Sequence, residues 1–77
     1  MITTLDQLPI GKAGIIQSIS DSTTSKQRLL DFGLTKGSTI TTLFHSCFQN
    51  PTAYEIRGSI IAIRKEDAKL IRILPIS

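Results

Sequence analysis

The sequence has few of the residues on which several classes of small protein depend. A single cysteine, Cys47, excludes an intramolecular disulfide framework and is typical of a chain in a reducing compartment. Tryptophan is absent and aromatic residues make up 5% of the chain, so the platforms on which single-stranded nucleic acids stack are scarce. No apolar run approaches the ~18 residues that a membrane-spanning helix needs. We therefore expect a cytoplasmic protein that does not insert into a membrane.

The charge of the chain is modest and mixed. Nine Lys and Arg residues against six Asp and Glu residues give a formal net charge of +3. Nucleic-acid binders usually concentrate basic charge on one face and add aromatic side chains. The basic residues that could follow a phosphate backbone lie towards the C-terminus: Arg57, Arg64, Lys65, Lys69 and Arg72. With so few aromatic residues beside them, a solvated basic surface is the favoured interpretation, and we expect no nucleic-acid partner.

The residues that are abundant favour β structure. A chain of 77 residues has room for one domain, residues 1–77, and its frequent Ile and Thr suit pleated, half-buried surfaces. Gly14–Ile19 predicts a first strand, Thr52–Arg57 and residues 60–63 predict a hairpin turning at Gly58-Ser59, and residues 69–74 predict a closing strand. The expected fold is mainly β: a small antiparallel barrel with one short α-helix after the first strand.

Two glycines flank a single leucine after that helix. Thr24 and Gln27 have the spacing of a capping box and predict a helix that ends near Phe32. Gly33 then suits the left-handed residue that ends a helix, and Gly37 suits the third position of a type II turn. Leu34, held between the two glycines, is expected to point inward.

The strand Ser38–His45 follows the second glycine. Simple alternation places Ile40, Thr42 and Phe44 on one face, and Leu43 and His45 on the other. The residues 64–68, "RKEDA", predict a single helical turn with its acidic residues favourably placed at the start.

No motif supports an enzyme. In "PIGKAG", Ala13 stands where a phosphate-binding loop needs Ser or Thr. His45 and Cys47 form an H-x-C pair of good ligands for transition metals, but the chain has no other His or Cys to complete a structural site. The adjacent Glu66 and Asp67 are expected to be surface charges rather than an acid–base pair. We therefore predict no catalytic residue, no dedicated metal site and no required cofactor, and leave open weak transition-metal binding at His45 and Cys47.

Taken together, three segments resemble the ferrous iron transport protein A (FeoA) family. They are "RLLDFGLTKGSTI", the loop that ends at Pro51, and "YEIRGSIIAIRKEDAKLIRI", and the likeness runs through essentially the whole chain from Gly14. The residues on the family pattern are Leu29, Gly33, Leu34, Gly37, Ile40, Pro51, Arg57, Gly58, Ala62, Arg64, Ala68 and Ile71.

The resemblance implies a fold, a location and a partner. The fold would be an SH3-like barrel related to the C-terminal domain of iron- and manganese-dependent repressors. The partner would be a membrane ferrous iron permease that carries a GTPase domain, and this chain would be its cytoplasmic accessory protein. The alternative is a stand-alone transition-metal-binding regulatory domain. The residues expected to contact the partner are Leu30, Asp31, Leu34, Thr35, Lys36, Cys47 and Phe48.

The chain departs from the family pattern in two places. The family loop usually reads like "APLGDP", whereas this chain has Cys47 in place of a proline and Gln49 in place of a glycine. Any contact that this loop makes must therefore differ here. Phe32 also stands where the family more often has leucine, which is a change of volume that a core must absorb.

Overall fold

Six strands and two short helical segments make up the described structure. The computed structural model describes residues 1–20, 33–45 and 51–76. The strands are β1 (Thr3–Thr4), β2 (Ala13–Ile19), β3 (Thr39–His45), β4 (Thr52–Ile56), β5 (Ser59–Ile63) and β6 (Ile71–Pro75). A 3₁₀ turn, Leu5–Gln7, follows β1, and a short α-helix, Lys65–Ala68, separates β5 from β6. The helix predicted after the first long strand lies outside the described residues.

All six strands form one antiparallel sheet in the order β1-β6-β2-β3-β4-β5. The predicted class, a mainly β fold of antiparallel strands, is confirmed. Full closure is not: among the described strands, β1 and β5 lie at the two ends of the sheet and do not pair with each other. The two-residue strand β1 escaped prediction, because two threonines carry no periodicity that could be read.

The core lies on one face of this sheet. Ile16, Ile40, Ile56 and Ile73 come from four different strands and are each no more than 1% exposed. The N-terminal turn covers them with Leu5 and Leu8, and the other core members are Leu34, Tyr54, Ile63, Ala68 and Ile71. Thr42 is fully buried among these apolar side chains, and its Oγ1 donates a hydrogen bond of 3.2 Å to the Leu8 carbonyl. That bond satisfies the one polar group that the residue takes into the core.

The predicted helical turn after β5 is confirmed. It begins after Arg64, carries Glu66 and Asp67 in its first turn, and places Ala68 in the core. The amide of Lys69 closes it with a 3.0 Å bond to the Lys65 carbonyl. Acidic side chains near a helix N-terminus are favoured by the helix dipole.

The alternation predicted for β3 is wrong at its end. Ile40 and Thr42 are buried as expected, but the register between β3 and β4 shifts between Thr42 and Phe44. A bulge adds one residue to the strand, so the side chains beyond it exchange faces. Phe44 is consequently 55% exposed, on the outer face of the sheet, instead of packed in the core.

The turn between β4 and β5 lies one residue earlier than predicted. Ile56 pairs with Ser59, so the two turn residues are Arg57 and Gly58 rather than Gly58 and Ser59. Both have positive φ, 52° and 82°, which is the combination of a type I′ hairpin turn. This turn type matches the right-handed twist of the flanking strands, and the chain adopts it although Arg57 has a side chain that disfavours positive φ.

Candidate functional site

The segment from Gly33 to Ser38 forms a tightly hydrogen-bonded turn before β3. Gly33 and Gly37 both have φ of 91°, as predicted for the two glycines. The amide of Ser38 donates to the Thr35 carbonyl over 3.1 Å, which places Gly37 at the third position of a β-turn, where a type II turn needs glycine. The hydroxyls of Thr35 and Ser38 share a further hydrogen bond of 3.0 Å.

Strand β2 holds this turn in place. The amide of Gly37 donates to the Ile16 carbonyl over 2.8 Å, and the amide of Ile16 donates to the Ser38 carbonyl over 2.9 Å. Because both bonds reach the middle of a long strand, they fix the position of the turn relative to the sheet.

The three predicted contact residues in the turn differ in exposure. Leu34 is fully buried in the core, so in the free chain its side chain supports the fold. Thr35 and Lys36 are exposed, and they form the polar surface that the turn presents to solvent. The other four predicted contact residues, Leu30, Asp31, Cys47 and Phe48, lie outside the described residues.

The end of β3 carries the single histidine. The Nδ1 atom of His45 shares a 2.8 Å hydrogen bond with Oγ1 of Thr52, its cross-strand partner at the start of β4. This bond fixes one ring nitrogen, while the residue as a whole is exposed. Within the part of the chain that the structure describes, no group of three or more His, Cys, Asp and Glu residues is placed to hold a metal ion.

Tyr54 lies in the core, two residues along β4 from Thr52, the hydrogen-bond partner of His45. Its burial, at 2% exposure, raises the pKa of its phenol above the ordinary value, since a phenolate is poorly solvated there. A hydrogen bond with Thr52 opposes this change, and the negative charge of Asp6 adds to it. Asp6 in turn accepts hydrogen bonds from the Thr4 hydroxyl and the Gln7 amide.

We predict that Tyr54 titrates above the pKa of tyrosine in the unfolded chain. Because the raised pKa belongs to the folded state, the stabilisation is present below the unfolded-state pKa of about 10 and is lost as pH rises through the folded pKa. Tyr54 is the only tyrosine and the chain has no tryptophan, so the ultraviolet absorbance of tyrosinate reports this group alone. Asp6→Asn should lower the pH at which half of Tyr54 is ionised. If the folded chain and the urea-unfolded chain had the same titration midpoint, the prediction would be contradicted.

One ion pair is described, and it lies at the surface. Arg64 and Glu66 form an ion pair of 3.9 Å, but both side chains are more than 60% exposed and are worth little to stability. We therefore take the polar turn, held by backbone hydrogen bonds to β2, as the candidate site.

Sequence reasoning missed the outer face of β3, β4 and β5. Phe44 and Ile60 are 55% and 65% exposed, and the pairing register places Phe44 beside Ala53 and Ala62. Exposed large apolar side chains that share a sheet face often mark an interaction surface. The signal was hidden because the bulge that turns Phe44 outward has no marker in the sequence.

In the described residues, the structure contains no helix with the length and hydrophobicity that crossing a membrane requires. The model of the FeoA domain family matches residues 3–75 of the chain. No curated protein sequence matches it.

Solved structures resemble the chain over nearly its whole length. A crystal structure of an iron uptake regulatory protein (FeoA) is 28% identical, with a TM-score of 0.88 and 99% of each chain covered. Stenotrophomonas maltophilia FeoA in complex with zinc, described as a prokaryotic SH3 domain protein, is 20% identical, with a TM-score of 0.82 and coverage of 92% of this chain and 88% of that one. A manganese-dependent transcriptional repressor is 16% identical with a TM-score of 0.87, and the match covers 97% of this chain but 42% of the repressor. The last two likenesses establish a shared SH3-like fold.

Proposed function

The chain belongs to the FeoA family, and on that premise we propose that it is a small accessory protein of ferrous iron uptake that docks on a GTPase-bearing membrane iron permease from the cytoplasmic side. It acts by binding rather than by catalysis. The proposal extends the family's link to ferrous iron transport to a specific partner and a specific side of the membrane. Its effect is exerted on the permease, which supplies both the transport path and the nucleotide chemistry.

The observation that carries the proposal is the polar turn held by β2. Four features support a binding role: two glycines at φ of 91°, two backbone bonds to Ile16, a hydroxyl pair inside the turn, and the exposed side chains of Thr35 and Lys36. A loop positioned by a rigid scaffold loses little conformational entropy on binding. The turn is thus suited to contact a partner without rearranging.

The relatives support the link to iron. One is an iron uptake regulatory protein, and another is described in connection with the activation of ferrous iron transport. Both have this fold over nearly the same length as the chain. Neither description names the surface that meets a partner, so the turn is our assignment.

We expect the full chain to co-purify with the detergent-solubilised ferrous iron permease, in at least one of the nucleotide-free, GDP-bound and GTP-bound states. Lys36→Asp should weaken the complex by about tenfold, since it reverses a charge at the centre of the proposed contact. Affinity is measured by titrating the labelled chain onto the immobilised permease.

Lys12→Asp provides the matched control. Lys12 is also an exposed lysine in a turn next to a positive-φ glycine, so the substitution has the same effect on net charge. The control should retain wild-type affinity. Absence of a complex in every nucleotide state would overturn the docking proposal, and an equal loss in both variants would reduce the role of the turn to net charge.

A second candidate function is metal-responsive regulation. The observation that favours it is the zinc complex of the Stenotrophomonas maltophilia relative. In this chain His45 is the described residue best suited to bind a transition metal, although its Nδ1 is engaged by Thr52. Weak binding through the other ring nitrogen would need ligands from a second molecule or from the loop that contains Cys47. We therefore rank it below docking.

A further inference from the structure

Among the residues that the structure describes, strand β5 has one edge with no partner strand. In the described part of the chain β5 pairs with β4 alone and ends the sheet. The pair that closes a two-residue hairpin, Ile56 with Ser59, is hydrogen-bonded, and hydrogen-bonded pairs alternate along an antiparallel ladder. Ile60 and Ala62 therefore direct their backbone N–H and C=O groups away from β4, towards the open edge.

This edge lacks the features that normally prevent pairing with another chain. Sheet edges are usually protected by charged side chains, by proline, by bulges or by being very short. The opposite edge, β1, has only two residues, whereas β5 has five and reads Ser-Ile-Ile-Ala-Ile, with no charge and no proline. Its register with β4 is regular throughout. The described structure thus presents β5 as a template for one more strand.

The outer face beside the edge carries several apolar side chains and one acidic side chain, the exposed Glu55, which pairs with Ile60. Ala53 and Ala62 are cross-strand partners on this face, and Phe44 pairs with Ala53 from the other side. Ile60, at 65% exposure, lies diagonally across from Ala53. An added strand would extend this surface, and its inward side chains would cover the half-buried Ile61, which already packs against the core.

Basic residues lie at both ends of β5. Arg57 precedes the strand in the hairpin turn, and Arg64 follows it, with Glu66 3.9 Å away as a solvent-exposed partner. Arg57 has φ of 52°, in the left-handed region that a residue with a side chain adopts at a cost. Asn or Gly at this position would relieve that strain. What arginine offers in their place is a positively charged guanidinium at this end of β5.

The charges decide which strand fits. Two copies of β5 paired antiparallel about Ile61 would place Arg57 of one copy opposite Lys65 of the other and next to its Arg64, and the chain as a whole carries a net charge of +3. Like charges across an interface are unfavourable, and opposite charges guide and orient a partner. An extended segment with β-branched residues in its middle suits pairing with β5. Carboxylates at its two ends would place opposite charges beside Arg57 and Arg64.

We propose that the open edge of β5 binds an extended, acid-flanked apolar peptide segment of a partner protein by adding it to the sheet as a seventh strand beside the six described ones. Backbone hydrogen bonds to Ile60 and Ala62 supply the pairing, and Arg57 and Arg64 orient the ends. The surface is separate from the Thr35–Lys36 turn, so the proposal stands whether or not the permease is the partner.

The probe is a blocked synthetic peptide of about nine residues, with Val, Thr and Ile in the middle and Glu at both ends, a length close to one strand and its flanks. Titrated into the isotope-labelled full chain, it should shift the amide signals of Ile60 and Ala62 and slow their hydrogen exchange. A peptide with the same middle and Lys at both ends should bind at least about tenfold more weakly at low salt.

Three variants separate binding from folding. Ala62→Pro removes an outward N–H at a position where an edge strand tolerates proline, and should abolish binding. Ile60→Glu keeps an exposed side chain but repels the acidic peptide, which keeps the proposal testable if the proline variant does not fold. Arg57→Asn should raise the melting temperature, because it suits the type I′ turn, and should still weaken binding several-fold.

The first four of five results that would overturn the proposal concern the peptides and the Arg57 variant. They are failure of the acid-ended peptide to bind, equal binding of the two peptides, signal changes confined to other strands, and wild-type affinity in Arg57→Asn. Concentration-dependent dimerisation that Ala62→Pro abolishes would also overturn it, because the occupant of the edge would then be a second copy.

Discussion

Leu34→Asp is expected to unfold the domain. The Leu34 side chain is fully buried, and it lies between two positive-φ glycines in a turn that backbone bonds from Gly37 and Ser38 tie to β2. An aspartate there would either bury an unpaired carboxylate or take up a proton, and each costs several kcal/mol. A domain of this size has only about 5–15 kcal/mol of stability in total, with the smallest domains at the low end.

The measurement is urea unfolding followed by circular dichroism. Leu34→Ala should lower the free energy of unfolding by about 2–5 kcal/mol, because it removes buried apolar surface and leaves a cavity. Lys36→Asp, two residues along the same turn, should change it by no more than about 0.5 kcal/mol, since that side chain is exposed. A folded Leu34→Asp variant with a normal midpoint would show that Leu34 is not a core residue.

The turn around Leu34 could be predicted because its chemistry is local. Glycine is favoured wherever the backbone needs positive φ, and the two glycines mark both such positions directly in the sequence. The inward direction of Leu34 then follows from the lack of any other apolar residue between them. The strands β2, β3, β4 and β6 were predicted within two residues of each bound for the same reason, since alternation and turn residues are local signals.

The features that were missed depend on pairing between distant strands. The bulge at the end of β3 exists only in relation to β4, and no glycine or proline in its own segment marks it. Phe44 was therefore placed on the same face as Ile40 and Thr42, and the outer face on which it lies could not be recognised. The adjacent Ile15 and Ile16 did indicate either a bulge or two partly covered faces in β2, and the register with β6 does shift there, between Ile16 and Ser18.

The candidate site was predicted in part. The exposure of Thr35 and Lys36 could be expected, because polar residues between turn glycines lie at a surface. The edge of β5 could not, because a run of Ile and Ala reads as a buried strand until its neighbours are known. Arg57 matched the family pattern, but the strain in its backbone became visible only when the turn was placed one residue earlier.

Gly14→Ala is expected to lower the free energy of unfolding by about 1–3 kcal/mol, although alanine normally suits a strand better than glycine. Gly14 is buried in β2, where a Cβ atom would lie 2.9 Å from Cδ1 of Ile73 and 3.3 Å from the Leu74 carbonyl oxygen. Real Cβ atoms essentially never approach another heavy atom to under 3.0 Å. The side chain of Ile73 must therefore move, and it is itself fully buried. Urea unfolding again provides the measurement.

We expect a second substitution, at Ile73, to recover part of the stability that Gly14→Ala loses, because the tightest contact is with Cδ1 of Ile73. Ile73→Val removes Cδ1 and alone costs about 0.5–1.5 kcal/mol, but in the Gly14→Ala background it also removes the clash. The double variant should then be more stable than the sum of the two single effects predicts, by at least about 0.5 kcal/mol. Ile71→Val is the matched control, because Ile71 is equally buried in β6 but pairs with Ile19, five residues along β2 from Gly14. If Gly14→Ala gains as much from Ile71→Val as from Ile73→Val, close packing at Ile73 is not the reason that β2 carries a glycine here.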